Sequence, residues 1–151
     1  MARISQSWRH FKGGTTPVRV VHNSLSLDVD ARKEAAAITL DLPMPTSVNA
    51  LYNWGAGCKS DKYEGWIKEA GWELLAQKPG RIVGKYSMKI LVSRPTRAGR
   101  FDLGNREKAL SDLLVKHRVL SDDSLAEKIT LEWCNALAAG RVRVTVTEAR
   151  A

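Results

Sequence analysis

The chain has 151 residues, 44% of them hydrophobic, which is one domain's worth of sequence with apolar content enough for a core. Twenty-four Lys and Arg against sixteen Asp and Glu leave a formal net charge of +8, a balance that suits a polyanionic partner. No apolar run reaches the ~18 residues of a membrane span, and two cysteines with three scattered histidines make neither a zinc pattern nor a disulfide framework.

Residues 1–36 read as an N-terminal extension, with Gly13-Gly14, Pro17, scattered charge and one apolar patch, Val18 to Val21. The stretch Met1 to Phe11 is polar and lacks the apolar segment of a secretory leader, so a cytoplasmic protein with reduced thiols at Cys58 and Cys134 is expected. Arg3, Arg9, Lys12 and Arg19 are read as part of a solvated tail. Residues 37–151 form the domain. Ala37 to Leu42 is a strand stopped by Pro43 and Pro45, and a loop follows through Gly55 and Gly57. Asp61 is expected to cap a helix running to about Ala76, with Tyr63, Trp66, Ile67, Ala70 and Leu74 on its apolar stripe and Lys78-Pro79-Gly80 ending it. In that segment Trp66 and Trp72 are assigned to the core, and Trp54, in the Gly-rich loop, is the candidate for base stacking.

Tyr86 to Val92 alternates as a half-buried strand. From Lys78 to Arg100 there are seven basic residues and no acid. Lys85 and Lys89 are assigned to the exposed side of the strand; Arg94, Arg97 and Arg100 are assigned to phosphate contact. A helix is expected from Asp102 to His117, then a Ser-Asp-Asp-Ser loop. Two alternating strands, Ile129 to Cys134 and Val142 to Val146, are expected to pair as a hairpin through Ala136 to Gly140. The order is β-α-β-α-β-β, an α+β domain with a mixed sheet covered by two helices.

The segment from Arg100 to Ser124 carries the chemistry. Asn105, Lys108 and Asp112 fall on one helical face, opposite Leu103, Leu110, Leu113, Leu114 and His117. Asp102 stands before them, and Asp122-Asp123 after. Separated carboxylates beside a lysine suit a hard divalent cation and a phosphodiester. They equally suit an N-cap and a solvated turn, so spacing alone leaves both readings open. The acids converge only if the chain after His117 folds back.

The run Asp102-Leu103-Gly104-Asn105, with Lys108-Ala109, Asp112 and Leu114, followed by Val119-Leu120 and Asp122-Asp123-Ser124, resembles the RusA family of Holliday junction resolvases. So does Pro45-Thr46-Ser47-Val48-Asn49-Ala50-Leu51-Tyr52, which matches a P-x-S-x-N-x-x-Y signature at Pro45, Ser47, Asn49 and Tyr52. The resemblance spans about residues 38 to 148. It implies a RusA-like fold and a homodimeric endonuclease of bacteria and prophages that cuts four-way DNA junctions with Mg²⁺, for which Mn²⁺ substitutes. Asp102 and Asp123 would be metal ligands with Asp122 beside them, and Lys108 the active-site lysine. Asn105 and Asp112 would support them from behind, and Asn49, Tyr52 and Lys59 would join the arginines in contacting DNA. One position departs: where the family carries a second acid, this chain has Gly104. Asp122 then substitutes for it, the ion keeps more water, or cleavage is weakened and the protein mainly binds junctions. A general nucleic-acid-binding module, supported by charge alone, is the other alternative.

Overall fold

The computed structural model of the chain describes residues 35–53, 55–96 and 101–149. The expected extension therefore lies outside the described residues apart from Ala35 and Ala36, as do Trp54, Arg97 and Arg100. Among these residues six strands and two helices follow one another: β1 (Ala37–Pro43), β2 (Tyr52–Asn53), β3 (Cys58–Lys59), α1 (Asp61–Ala76), β4 (Tyr86–Ser93), α2 (Glu107–Lys116), β5 (Ala126–Cys134) and β6 (Arg141–Glu148). The short β2 and β3 pair with each other. The other four strands make one mixed sheet in the order β1-β6-β4-β5, with β4 and β5 parallel and the remaining pairs antiparallel.

Period-two alternation decides the layering. Ile38, Leu40 and Leu42 of β1, Met88, Ile90 and Val92 of β4, and Val142, Val144 and Val146 of β6 are all buried. Tyr63, Trp66, Ile67, Ala70 and Leu74 of α1 and Leu110, Leu113 and Leu114 of α2 join them in one core. The intervening residues face outward. Asp41 pairs with Arg143 through two hydrogen bonds of 2.7 and 3.1 Å, and Lys85 and Lys89 pair with Glu127 and Glu132. Both lysines thus occupy the exposed side of the strand, as expected.

The hairpin between the last two strands does not form. β4 lies between β5 and β6 and bonds to both. Its alternate residues Tyr86, Met88, Ile90 and Val92 are all fully buried, so it belongs in the interior of the sheet, whereas β5 exposes Glu127, Lys128 and Ile129 and suits the edge. A parallel neighbour requires a crossover, and α2 supplies it.

Other corrections are local. Ser60, not Asp61, caps α1, its hydroxyl accepting from Tyr63 N at 3.2 Å. The helix ends at Ala76 as expected, with Lys78 (φ 47°) in the left-handed conformation before Pro79. Trp72 is 75% exposed because it stands about 240° around the helix from Trp66, outside the apolar stripe. Trp66 is buried as expected, and its indole donates to Pro43 O at 3.2 Å. Cys58 and Cys134 are free thiols. Among the described residues no helix is long and apolar enough to cross a membrane.

Candidate active site

The helix expected from Asp102 begins later. Asp102 accepts from Gly104 N at 3.0 Å and from Asn105 Nδ2 at 2.8 Å. These bonds draw Gly104–Arg106 into a 3-10 turn, and regular α-helix starts at Glu107. Asn105 therefore sits in the turn, bonded to Asp102, while Lys108 and Asp112 lie one turn apart on α2.

The chain after α2 does fold back. Arg118 takes a left-handed conformation (φ 56°), and Val119 N returns to Leu114 O at 2.9 Å. Val119 and Leu120 are fully buried, and Val119 O accepts from Ile82 N at 2.9 Å. This reversal carries the acid pair back along the helix. Asp123 then meets Lys108, with Nζ to Oδ2 at 2.9 Å, and the same ammonium is 2.9 Å from Asp112 Oδ1.

Supporting groups surround this pair. Tyr63 donates to Asp112 Oδ2 over a long 3.5 Å, and Tyr86 donates to the Asp123 carbonyl at 3.4 Å. Asp122 caps the 3-10 turn Asp123–Leu125, accepting from Ser124 N at 2.8 Å. Arg106 donates to Pro45 O at 2.6 Å and lies over the Phe101 ring, so the two motif segments meet there.

Electrostatics follow from these contacts. Hydrogen bonds from Lys108 to Asp112 and then Asp123 raise the lysine well above its ordinary value, so it stays a cation. Burial, with Asp112 adding to it, pushes the Tyr63 phenol up to about 12. Burial likewise raises Tyr86. The hydroxyl and backbone bonds of Ser124 hold the Asp122 carboxyl below its usual range.

The remaining candidates are spread more widely. Asn49 lies in an exposed 3-10 turn and Tyr52 in β2, 49% exposed. Lys59, in β3, stands 5.4 Å over the Tyr63 ring. Arg94 is at the far end of β4, bonded to Asn135 Oδ1 at 3.2 Å and over Trp133. Tyr63, Tyr86 and Arg106 were not singled out from sequence. The first two read as core aromatics, since nothing local announces a hydroxyl aimed at residues 37 to 49 positions away.

The family model described as Endodeoxyribonuclease RusA matches residues 42–147, more than half the chain and inclusive of every residue of this site. The chain belongs to the RusA family. RusA-type proteins are endodeoxyribonucleases that resolve Holliday junctions, and the mixed α+β sandwich is consistent with the RusA fold. No curated protein matches the chain.

RusA nucleases depend in general on a divalent metal, so the donor set bears on how such an ion would be held. Asp102, Asp122 and Asp123 offer exposed carboxylate oxygens, the hard donors that Mg²⁺ prefers. Among the described residues no three acid, His or Cys side chains are gathered closely enough to cage an ion. An ion held by one or two of these carboxylates would be completed by water and phosphate.

Proposed function

We propose that this RusA protein is a Mg²⁺-dependent endodeoxyribonuclease that resolves four-way DNA junctions by paired cleavage as a cytoplasmic homodimer. The observation that carries the reading is the contact of Lys108 with Asp123, two motif residues joined only by the reversal at Arg118. Asp102 and Asp123 hold the ion, and Mn²⁺ substitutes for it. Once bound, such an ion supplies Lewis acidity to the scissile phosphate and lowers the pKa of water.

This chain's own residues do the rest. Lys108, kept protonated by its two carboxylates, offsets the negative charge that builds on the phosphate; it is not a proton acceptor. Asp112 orients the ammonium from the next turn of α2. Asn105 fixes the Asp102 carboxylate, and Tyr86 fixes the backbone at Asp123. Arg94, Arg97 and Arg100, with Asn49, Tyr52 and Lys59, contact DNA. A two-fold homodimer offers two identical sites to strands related by the junction's own symmetry.

A second reading is a junction-binding protein with weakened cleavage. Gly104 in the family's acid position favours it. Incubating a synthetic four-way junction with protein, with and without Mg²⁺, and with excess linear duplex as competitor, separates the readings. Mg²⁺-dependent paired nicks that survive the competitor support resolution. Tight binding without nicks supports the second reading, and loss of junction preference sinks both.

A further inference from the structure

A cavity of about 260 Å³ opens between β3, α1 and the C-terminal turn of α2, lined by Lys59, Tyr63, Glu64, Ile67, Lys68 and Lys116. Three lysines from three different elements converge on it against one glutamate. Lys116 alone would be explained by the negative end of the α2 dipole, and Lys68 alone by the solvated side of α1. Neither explanation accounts for their convergence with Lys59. Among the described residues Lys68 and Lys116 make no ion pair, unlike Lys85 and Lys89 on the open face of the sheet. The cavity is smaller than the ~300–1,000 Å³ that encloses a small-molecule ligand. Its chemistry is cationic at the rim, with an aromatic wall and Ile67 behind.

That wall is shared with the candidate active site. Tyr63 lines the cavity, and its hydroxyl reaches Asp112, which in turn holds Lys108. A strand whose phosphate lies at Lys108 is thus two side chains, Asp112 and Tyr63, from the cavity.

We propose that this cavity is a second phosphate-binding cradle, which takes the sugar-phosphate backbone of a DNA arm. The proposal rests on the nuclease reading for the identity of the polymer. The ammonium groups of Lys59, Lys68 and Lys116 neutralise the backbone, with the buried Tyr63 and Ile67 as the floor behind them. Glu64 opposes this and limits affinity.

The test is the salt dependence of affinity for a fluorescent four-way junction, measured on the full chain with chelator present so that no strand is cut. Lys68→Gln with Lys116→Gln flattens the slope of log affinity against log salt by about 0.9 for each phosphate no longer neutralised, so by up to about 1.8. Glu64→Gln raises affinity by on the order of two- to fivefold, a gain that misfolding cannot imitate. Lys85→Gln with Lys89→Gln removes as much charge from the open face of the sheet and leaves the slope unchanged. An unaltered slope in the cavity variant, or an equal fall in the open-face variant, overturns the cradle. Wild-type protein that never cuts but keeps the cavity-dependent slope would remove the nuclease reading and leave the cradle standing.

Discussion

The ammonium of Lys108 lies 2.9 Å from a carboxylate oxygen of Asp123, a residue fifteen positions further along the chain. The ammonium is shared with Asp112, and both residues of the Lys108–Asp123 pair are about half exposed. The pair therefore contributes little to stability, at most ~1 kcal/mol for an exposed bridge. Its value is positional. Lys108→Ala should lower the cleavage rate by on the order of 10²–10³ while leaving junction affinity within a fewfold of wild type. Comparison of single-turnover rates with binding curves checks this; a drop in affinity that accounts for the whole drop in rate would make Lys108 an ordinary phosphate contact.

The pH dependence of the same residue has a definite sign. Its folded-state value is raised above the ordinary 10.5, so its favourable contacts are fully present below 10.5 and disappear only as pH rises through the higher value. The pH–rate profile should show no limb from Lys108 between about pH 6 and 10. A basic limb in that window that vanishes in Lys108→Arg would contradict the assignment.

Glu73 shows the opposite case. Two hydrogen bonds from Arg141, at 2.7 and 3.1 Å, tie α1 to β6 and hold the Glu73 carboxyl below its ordinary 4.5. The stabilisation is present above 4.5 and is lost as pH falls through the lowered value. Glu73→Gln should cost about 1 kcal/mol at pH 7 and much less at pH 3. Thermal unfolding at the two pH values measures it, and an equal loss at both would refute the charge-based account.

Helix α1 passes α2 closely at Gly71, where an added Cβ would lie 2.8 Å from His117 Nε2. Gly71→Ala should therefore destabilise, despite the ~1 kcal/mol that Ala gains over Gly in a helix. In a His117→Ala background the same change should stabilise. Chemical denaturation of the four proteins gives the coupling, expected at about 1 kcal/mol, and additivity would show that the close approach relaxes freely.

Much of the sheet was legible because its strands alternate. Leu40, Ile90 and Val144 each repeat an apolar residue at every second position, and burial follows that period. Strand order was not legible, because alternation says which face is inward and nothing about which strand lies beside it. The short link Ala136 to Gly140 suggested a hairpin, yet the apolar content of β4 puts that strand between its neighbours. The residues of the candidate site were recognisable in the chain; the meeting of Lys108 with Asp123 was not. It depends on a left-handed turn at Arg118, where sequence rules look for Gly, and on Val119 and Leu120 being drawn into the core.

Gly104 and Asp122 can now be separated. A Cβ at position 104 would meet only Asp102 Oδ1, at an ordinary 3.5 Å, so the backbone there tolerates a side chain. Asp122 already caps the turn that presents Asp123, which accounts for it without a metal. Gly104→Asp should reach half-maximal cleavage at lower Mg²⁺ than wild type, since an added carboxylate draws in the doubly charged ion. Asp122→Asn should retain cleavage, because Asn caps as well as Asp. The reverse pattern, with Gly104→Asp no better and Asp122→Asn inactive, would make Asp122 the substitute ligand.

The central claim is that Asp102 and Asp123 act with Lys108 as one nuclease site. Single-turnover cleavage of a four-way junction in Mg²⁺ by wild type, Asp102→Asn and Asp123→Asn, with binding of the same junction measured alongside, tests it most directly. Both variants should bind the junction as wild type does and fail to cut it, because removing a ligand spares the basic surface. Cleavage near the wild-type rate by either variant would contradict the account.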